Sequence, residues 1–230
     1  MVRIISIEGN IGSGKSTLVD YLKHFFSSNS KFVFLPEPVN QWEQIIDHHD
    51  GENIIVKFYK DQSKYSFAFQ MMAYISRLSI LRNTFKDLLQ KEIDNPGSKY
   101  YIITERSLYT DRYVFAQMLY DDGLIDDVSF QIYLKWWDEF LDEITIHQYI
   151  YVYTVPEIAK QRVDSRSRDG EGSIDIDYLS KCHDYHERWL LNTTTPTMFI
   201  NGNTDRHDEH GNIKYDTPFI SSIQDFIYQK

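Results

Sequence analysis

The chain has 230 residues, 42% of them hydrophobic and 25% charged, which suits one water-soluble domain around a single core. Its 24 Lys and Arg against 34 Asp and Glu give a formal charge of −10, a surface that repels nucleic-acid polymers and anionic lipid, so a polyanionic ligand must enter a locally basic cleft. The one cysteine, Cys182, excludes an internal disulfide and a cysteine-cluster metal site, and fits a reducing, cytoplasmic compartment.

Residues 2–7 are an apolar, β-branched run that predicts a buried parallel strand, and a strand starting there leaves no room for a targeting peptide. Next comes Gly9-Asn10-Ile11-Gly12-Ser13-Gly14-Lys15-Ser16-Thr17, which contains the pattern G-x-x-x-x-G-K-[ST]. Glycines let successive backbone N–H groups close around phosphate oxygens, Lys15 neutralises the outer phosphates of a nucleoside triphosphate, and the Ser16 hydroxyl is a Mg²⁺ ligand. A helix predicted over 17–26 puts the anion at a helix N-terminus. A second strand, 32–35, runs into Pro36-Glu37-Pro38-Val39-Asn40-Gln41-Trp42. The longest helical pattern, 63–91, keeps Met71, Tyr74, Ile75, Leu78, Leu81, Phe85, Leu88 and Leu89 on one face. Asn95-Pro96-Gly97 breaks the chain before a third strand, 100–104, which leads into Glu105-Arg106-Ser107 and Leu108-Tyr109-Thr110-Asp111-Arg112-Tyr113. An amphipathic helix over 126–144 carries Trp136 and Trp137. Strands follow at 149–155 and 197–200, separated by a helix opening at Pro156-Glu157. Residues 201–215 are polar and irregular, and no linker, repeat or membrane-length apolar run divides the chain.

This alternation is that of a parallel α/β sheet, and Glu8, Glu37 and Glu105 fall at the strand ends where such sheets bind ligands. The ordered blocks, namely the phosphate loop, the Glu37 segment, Glu105-Arg106-Ser107 with Asp111-Arg112-Tyr113, and the arginines at 162, 166 and 168, resemble the deoxyribonucleoside kinase family. The closest likeness is to the branch with deoxycytidine and deoxyguanosine kinases. The resemblance covers about residues 3–192 and is faint beyond.

It implies a three-layer fold of the P-loop NTPase type, with a five-stranded parallel sheet of order 2-3-1-4-5 flanked by helices. It also implies one kinase domain over 1–230, an Arg-rich lid near 162–174, and a C-terminal loop and helix over 201–230. The implied reaction uses ATP or another nucleoside triphosphate with Mg²⁺ to phosphorylate the 5′-hydroxyl of a deoxynucleoside. The donor phosphates fall to Gly9, Asn10, Ile11, Gly12, Ser13, Gly14, Lys15, Ser16 and Thr17, and to Arg162, Arg166 and Arg168. Glu37 matches the carboxylate that accepts the 5′-hydroxyl proton. Glu105 either organises Mg²⁺ with Ser16 or takes that proton itself, and Arg106 reaches the 5′-oxygen or the phosphoryl group. Gln70, Ala73 and Arg77 form one helical stripe that reads the base, and Arg77 pairs with Asp111, leaving less room for a thymine 5-methyl. Phe69 and Phe115 match the rings that sandwich the base. Tyr59 and Glu171 match the pair on the sugar 3′-hydroxyl. Val39, Trp42, Ile55 and Phe58 supply apolar walls, where Phe58 is bulkier than the methionine expected and narrows the pocket.

The resemblance and the apolar excess of the two long helices imply a homodimer. Deoxycytidine and purine deoxynucleosides are expected ahead of thymidine. The alternatives are a nucleoside monophosphate kinase of the thymidylate kinase type, to which Asp111-Arg112-Tyr113 is also similar, and a non-catalytic nucleotide switch, against which stands the lack of a guanine-reading Asn-Lys-x-Asp string. Asp205 and Arg206 lie where the family contacts the donor's base. His207-Asp208-Glu209-His210 reads as a solvated loop, and His183 and His186 as ordinary helix residues.

Overall fold

The computed structural model describes residues 1–141, 144–166, 171–204, 206 and 214–229. Five parallel strands, β1 (Val2–Glu8), β2 (Phe32–Leu35), β3 (Tyr100–Glu105), β4 (Gln148–Tyr153) and β5 (Thr197–Asn201), form one sheet in the order β2-β3-β1-β4-β5. The central strands are apolar on both sides because helices cover both faces, as parallel sheets require. Strand alternation divides them between two cores. Ile4 and Ile102 face the layer built from α4 (Gln62–Asp94) and α7 (Asp127–Leu141), whereas Ile5, Ile7 and Ile103 face α1 (Lys15–Phe25) and α10 (Thr217–Tyr228). This is the three-layer arrangement expected, and each predicted strand lies within two residues of its observed bounds.

Short polar caps set the helix starts. Asn53 Oδ1 accepts the backbone N–H groups of Ile55 and Val56, opening α3 (Ile54–Lys60), and Asp61 Oδ1 accepts from Lys64 N, opening α4. The apolar face expected of α4 is corrected in part. Tyr74, Leu78, Leu81 and Leu88 are buried, but Ile75 and Leu89 are exposed, as is Trp136 on α7. One sheet face cannot cover the full width of a stripe that broad.

Three stretches of chain complete the frame of the site. The helix α2 (Val39–Glu43) is tied to α4 by Trp42 Nε1, which donates to Ser76 Oγ at 2.8 Å. After β3 the chain forms α5 (Leu108–Thr110), a π-helical turn Asp111–Ala116 and α6 (Gln117–Asp121). Beyond β4 come α8 (Pro156–Arg166), a 3₁₀ turn Glu171–Ser173 and α9 (Ile176–Leu190). Parallel register places Glu105 beside Ile7, Tyr151 beside Glu8 and Asn201 beside Tyr153, so the strands end along one edge.

Candidate active site

A cavity of about 660 Å³ opens at that edge. At one end lies the loop between β1 and α1. Gly12 has φ +75° and Gly14 φ +95°, left-handed values that side chains rarely adopt. A Cβ on Gly12 would also stand 2.4 Å from the Ala159 carbonyl oxygen, so α8 packs directly on loop backbone. Lys15 is buried, with Nζ donating to the Asn10 carbonyl at 2.6 Å. Burial, then the neighbouring Arg106, pulls its pKa down to about 7 against the opposing pull of Glu105, Glu37 and Glu8. Ser16 Oγ donates to Glu105 Oε1 at 2.6 Å. Arg162 donates to the Gly202 carbonyl at 2.8 Å, and Arg166 Nε to Glu171 Oε2 at 3.1 Å; both arginines line the cavity.

At the other end the groups come from three separate segments. Glu37, two residues beyond β2, accepts from Arg106 at 2.6 Å and from Arg77 at 3.2 Å. Burial pushes its carboxyl up, but Arg106, Arg77 and Lys15 overcome this and hold it at about 2. Arg77 Nε donates to Asp111 Oδ2 at 2.9 Å and its NH1 to the Glu105 carbonyl at 2.8 Å. Burial pushes Asp111 up to about 6 despite Arg77, which leaves the pair charged at neutral pH. Arg106 has φ +60°, a conformation that costs a non-glycine residue about 1–2 kcal/mol and marks a constrained position. Its guanidinium lies 5.2 Å over the Phe115 ring.

Gln70, Ala73 and Arg77 are buried along one face of α4 and all line the cavity. Among the described residues the buried Gln70 Oε1 has no hydrogen-bond partner. Phe69 stacks on Phe58 with ring centroids 4.6 Å apart and meets Trp42 edge-on at 5.5 Å. Val39, Ile55, Tyr59, Phe115 and Glu171 also line the cavity, and burial followed by the charge of Glu171 raises the pKa of Tyr59.

The structure thus brings together most of the residues singled out from sequence. Two positions differ. Gly9 and Asn10 do not line the cavity, and the Asn10 amide turns away to donate to the Leu179 carbonyl at 2.8 Å, fastening the loop to α9. Arg168, Asp205 and the 207–210 segment lie outside the described residues. His186 is a buried core histidine: its Nδ1 lies 2.6 Å from the Cys182 carbonyl, and burial holds its pKa at about 3.

The deoxynucleoside kinase family model matches residues 5–227. The chain is 38% identical to a probable deoxycytidine kinase of fowlpox virus (strain NVSL), over 97% of this chain and 87% of that protein. It is 33% identical to human deoxycytidine kinase over 86% of this chain and 79% of the other, and 30% identical to the mitochondrial deoxyguanosine kinase of Xenopus laevis over 87% and 77%. The chain belongs to the deoxynucleoside kinase family. It is a kinase, and the monophosphate kinase alternative is not favoured.

Sequence reasoning about this kinase missed three site features. Tyr178 and Tyr215 line the cavity without belonging to any motif. Arg206, which the family resemblance places near the donor's base, does line the cavity, with its guanidinium 5.1 Å over the Tyr215 ring. Glu8 was noted only as a strand end, although it is buried among three hydroxyls.

Proposed function

We propose that the chain transfers the γ-phosphoryl group of ATP or another nucleoside triphosphate to the 5′-hydroxyl of deoxycytidine, deoxyadenosine and deoxyguanosine, in preference to thymidine. The single observation that carries this reading is the charge balance around Glu37. Arg77 and Arg106 are already matched by Glu37 and Asp111, so no surplus cation awaits an acceptor phosphate, and an uncharged sugar alcohol fits where a monophosphate would meet a carboxylate.

The donor phosphates take the backbone N–H groups of residues 11–17, with Lys15, Arg162 and Arg166 as cations. Ser16 and Glu105 offer adjoining hard oxygens, the donor type that Mg²⁺ prefers while retaining waters, so these two residues fit the ion directly or through water. Bound there, Mg²⁺ would neutralise charge on the donor phosphates. The 5′-hydroxyl donates to Glu37 while its oxygen bonds to the γ-phosphorus; the bond to the nucleoside diphosphate breaks and the proton passes to Glu37. A carboxylate with a pKa of about 2 is a weak base. Transfer is therefore late, once bonding to phosphorus has made the hydroxyl acidic, and the carboxylate acts first by orienting the nucleophile. Arg106 bridges Glu37 and the moving phosphoryl group.

Gln70 reads the base edge with its side-chain amide, Phe69 and Phe115 bracket the base, and Tyr59 with Glu171 holds the 3′-hydroxyl. Ala73 leaves room for a purine, while the fixed Arg77–Asp111 pair crowds a pyrimidine 5-methyl. Val128, Ile132 and Trp136 recur every four residues on α7 and are exposed; with Ile75 and Leu89 of α4 they support a homodimer through a helical bundle. Sedimentation as a monomer at micromolar concentration would overturn that part. We place the whole of 1–230 in one domain, acting in the cytoplasm; among the described residues no helix is long and apolar enough to cross a membrane. The decisive assay offers ATP with deoxycytidine, deoxyadenosine, deoxyguanosine, thymidine, dCMP and dTMP. ATP consumption is expected with the first three; faster turnover of thymidine sinks the base preference, and turnover of only the monophosphates sinks the reading itself.

A further inference from the structure

Glu8 ends β1 one residue before the phosphate loop and is fully buried. Hydroxyl groups satisfy it. Its Oε1 accepts from Ser6 Oγ at 2.7 Å and Ser107 Oγ at 2.6 Å, and its Oε2 accepts from Thr110 Oγ1. Ser107 stands at the N-cap of α5, yet its side chain makes no cap hydrogen bond, because the hydroxyl is turned to Glu8. Arg106, one residue past the end of β3, is in its left-handed conformation. Its N–H donates to the Ile7 carbonyl at 2.9 Å, and its carbonyl accepts from Thr104 Oγ1 at 2.9 Å. The next turns carry Asp111 and Phe115. The end of β1 therefore grips Arg106 through its backbone and, through Ser107 and Thr110, the start of the helix that bears the acceptor-side groups.

We propose that Glu8 is a positioning residue that locks the 106–111 segment to the strand feeding the phosphate loop, and so keeps the Arg106 guanidinium on Glu37. This rests on the role assigned to Arg106 above. A glutamine at position 8 keeps the size but offers one acceptor oxygen in place of two, so at least one of the three hydroxyls loses its present partner. Loosened there, Arg106 relaxes and its guanidinium drifts; a displacement near 1 Å costs on the order of 10²-fold in rate.

The test is a double-mutant cycle on the full-length protein with Glu8→Gln and Arg106→Ala, measuring kcat, KM for ATP, KM for deoxycytidine, and Tm. Glu8→Gln is expected to lower kcat by roughly 10- to 10²-fold with KM for ATP little changed. In the Arg106→Ala background it should lower kcat no further, while its effect on Tm persists. Thr110→Val, which removes one hydroxyl, is expected to reproduce the pattern more weakly and replaces Glu8→Gln should that variant fail to fold. Losses that multiply, or a KM for ATP that rises with kcat unchanged, overturn the proposal while leaving the role of Arg106 intact. A fully active Arg106→Ala variant removes both.

Discussion

At the end of the cavity assigned to the donor, the ligand-facing groups are largely backbone amides held by Gly12 and Gly14, with one lysine tied back to its own loop. At the acceptor end they are side chains, Glu37, Arg77, Arg106 and Asp111, drawn from separate segments and bound to one another. At the first end, among the described residues, Lys15 makes no ion pair, and its buried amine gains full charge when an anion arrives. The second is already neutral. The difference teaches what each end takes: unbalanced N–H groups and cations suit a polyphosphate, whereas a closed set of ion pairs suits a neutral polar molecule that can exchange single hydrogen bonds without disturbing the charges.

The strongest way to break this contrast is at Glu37. Glu37→Gln should leave ATP binding within a few-fold, because the phosphate loop stands on its own backbone. It should cut deoxynucleoside turnover by roughly 10²- to 10⁴-fold, the usual worth of a positioned base. Calorimetric titration with ATP and a single-turnover assay read the two effects separately. Unchanged turnover removes Glu37 from the chemistry.

The pair Arg77–Asp111 sharpens the contrast from the side of stability. Both members are nearly fully buried, and removing one partner of such a pair commonly costs about 3–5 kcal/mol. Asp111→Asn should therefore lower Tm by roughly 10 °C for a chain of this size, while raising turnover of thymidine relative to deoxycytidine. The joint change Arg77→Met with Asp111→Leu should melt higher than Asp111→Asn alone, because it leaves no unmatched charge. If the two variants melt together, the pair is not coupled as drawn.

The same contrast decides what could be read from sequence. The phosphate loop was legible because its chemistry is contiguous: eight neighbouring residues specify strand end, turn and helix start. The sheet was legible because parallel strands buried on both faces are short apolar runs. At the acceptor end the strand-edge rule placed Glu37 near a ligand, but its meeting with Arg77, Arg106 and Asp111 was read only through family resemblance, because these groups stand on three segments far apart in sequence. The π-helical turn at Asp111–Ala116 has no periodic signature at six residues. Helix α3 spans seven residues, too few for a 3.6-residue period to stand out, and is held by the Asn53 cap and by the burial of Ile54, Ile55 and Phe58. Glu8 was passed over because its three hydroxyl partners span from position 6 to position 110.

The gentlest test concerns Lys15, where the two ends meet electrostatically. Its folded pKa of about 7 lies well below the ~10.4 of an unfolded lysine. Between those values the unfolded chain holds more protons than the folded one, so this group makes the ligand-free protein more stable as pH rises, by at most ~1.4 kcal/mol per unit. ATP has the opposite sign. Its phosphates favour the charged amine and raise the pKa, so binding above pH 7 takes up a proton and affinity weakens as pH rises, by no more than about tenfold per unit. Titrations at pH 8 in two buffers of different ionisation enthalpy should reveal that uptake, and it should shrink toward pH 7, where Lys15 is already about half charged. Glu37 and Asp111 are ionised throughout pH 7–9 and cannot imitate the effect. Proton release, or no pH dependence of either quantity, would mean that the lysine is not desolvated before the donor arrives.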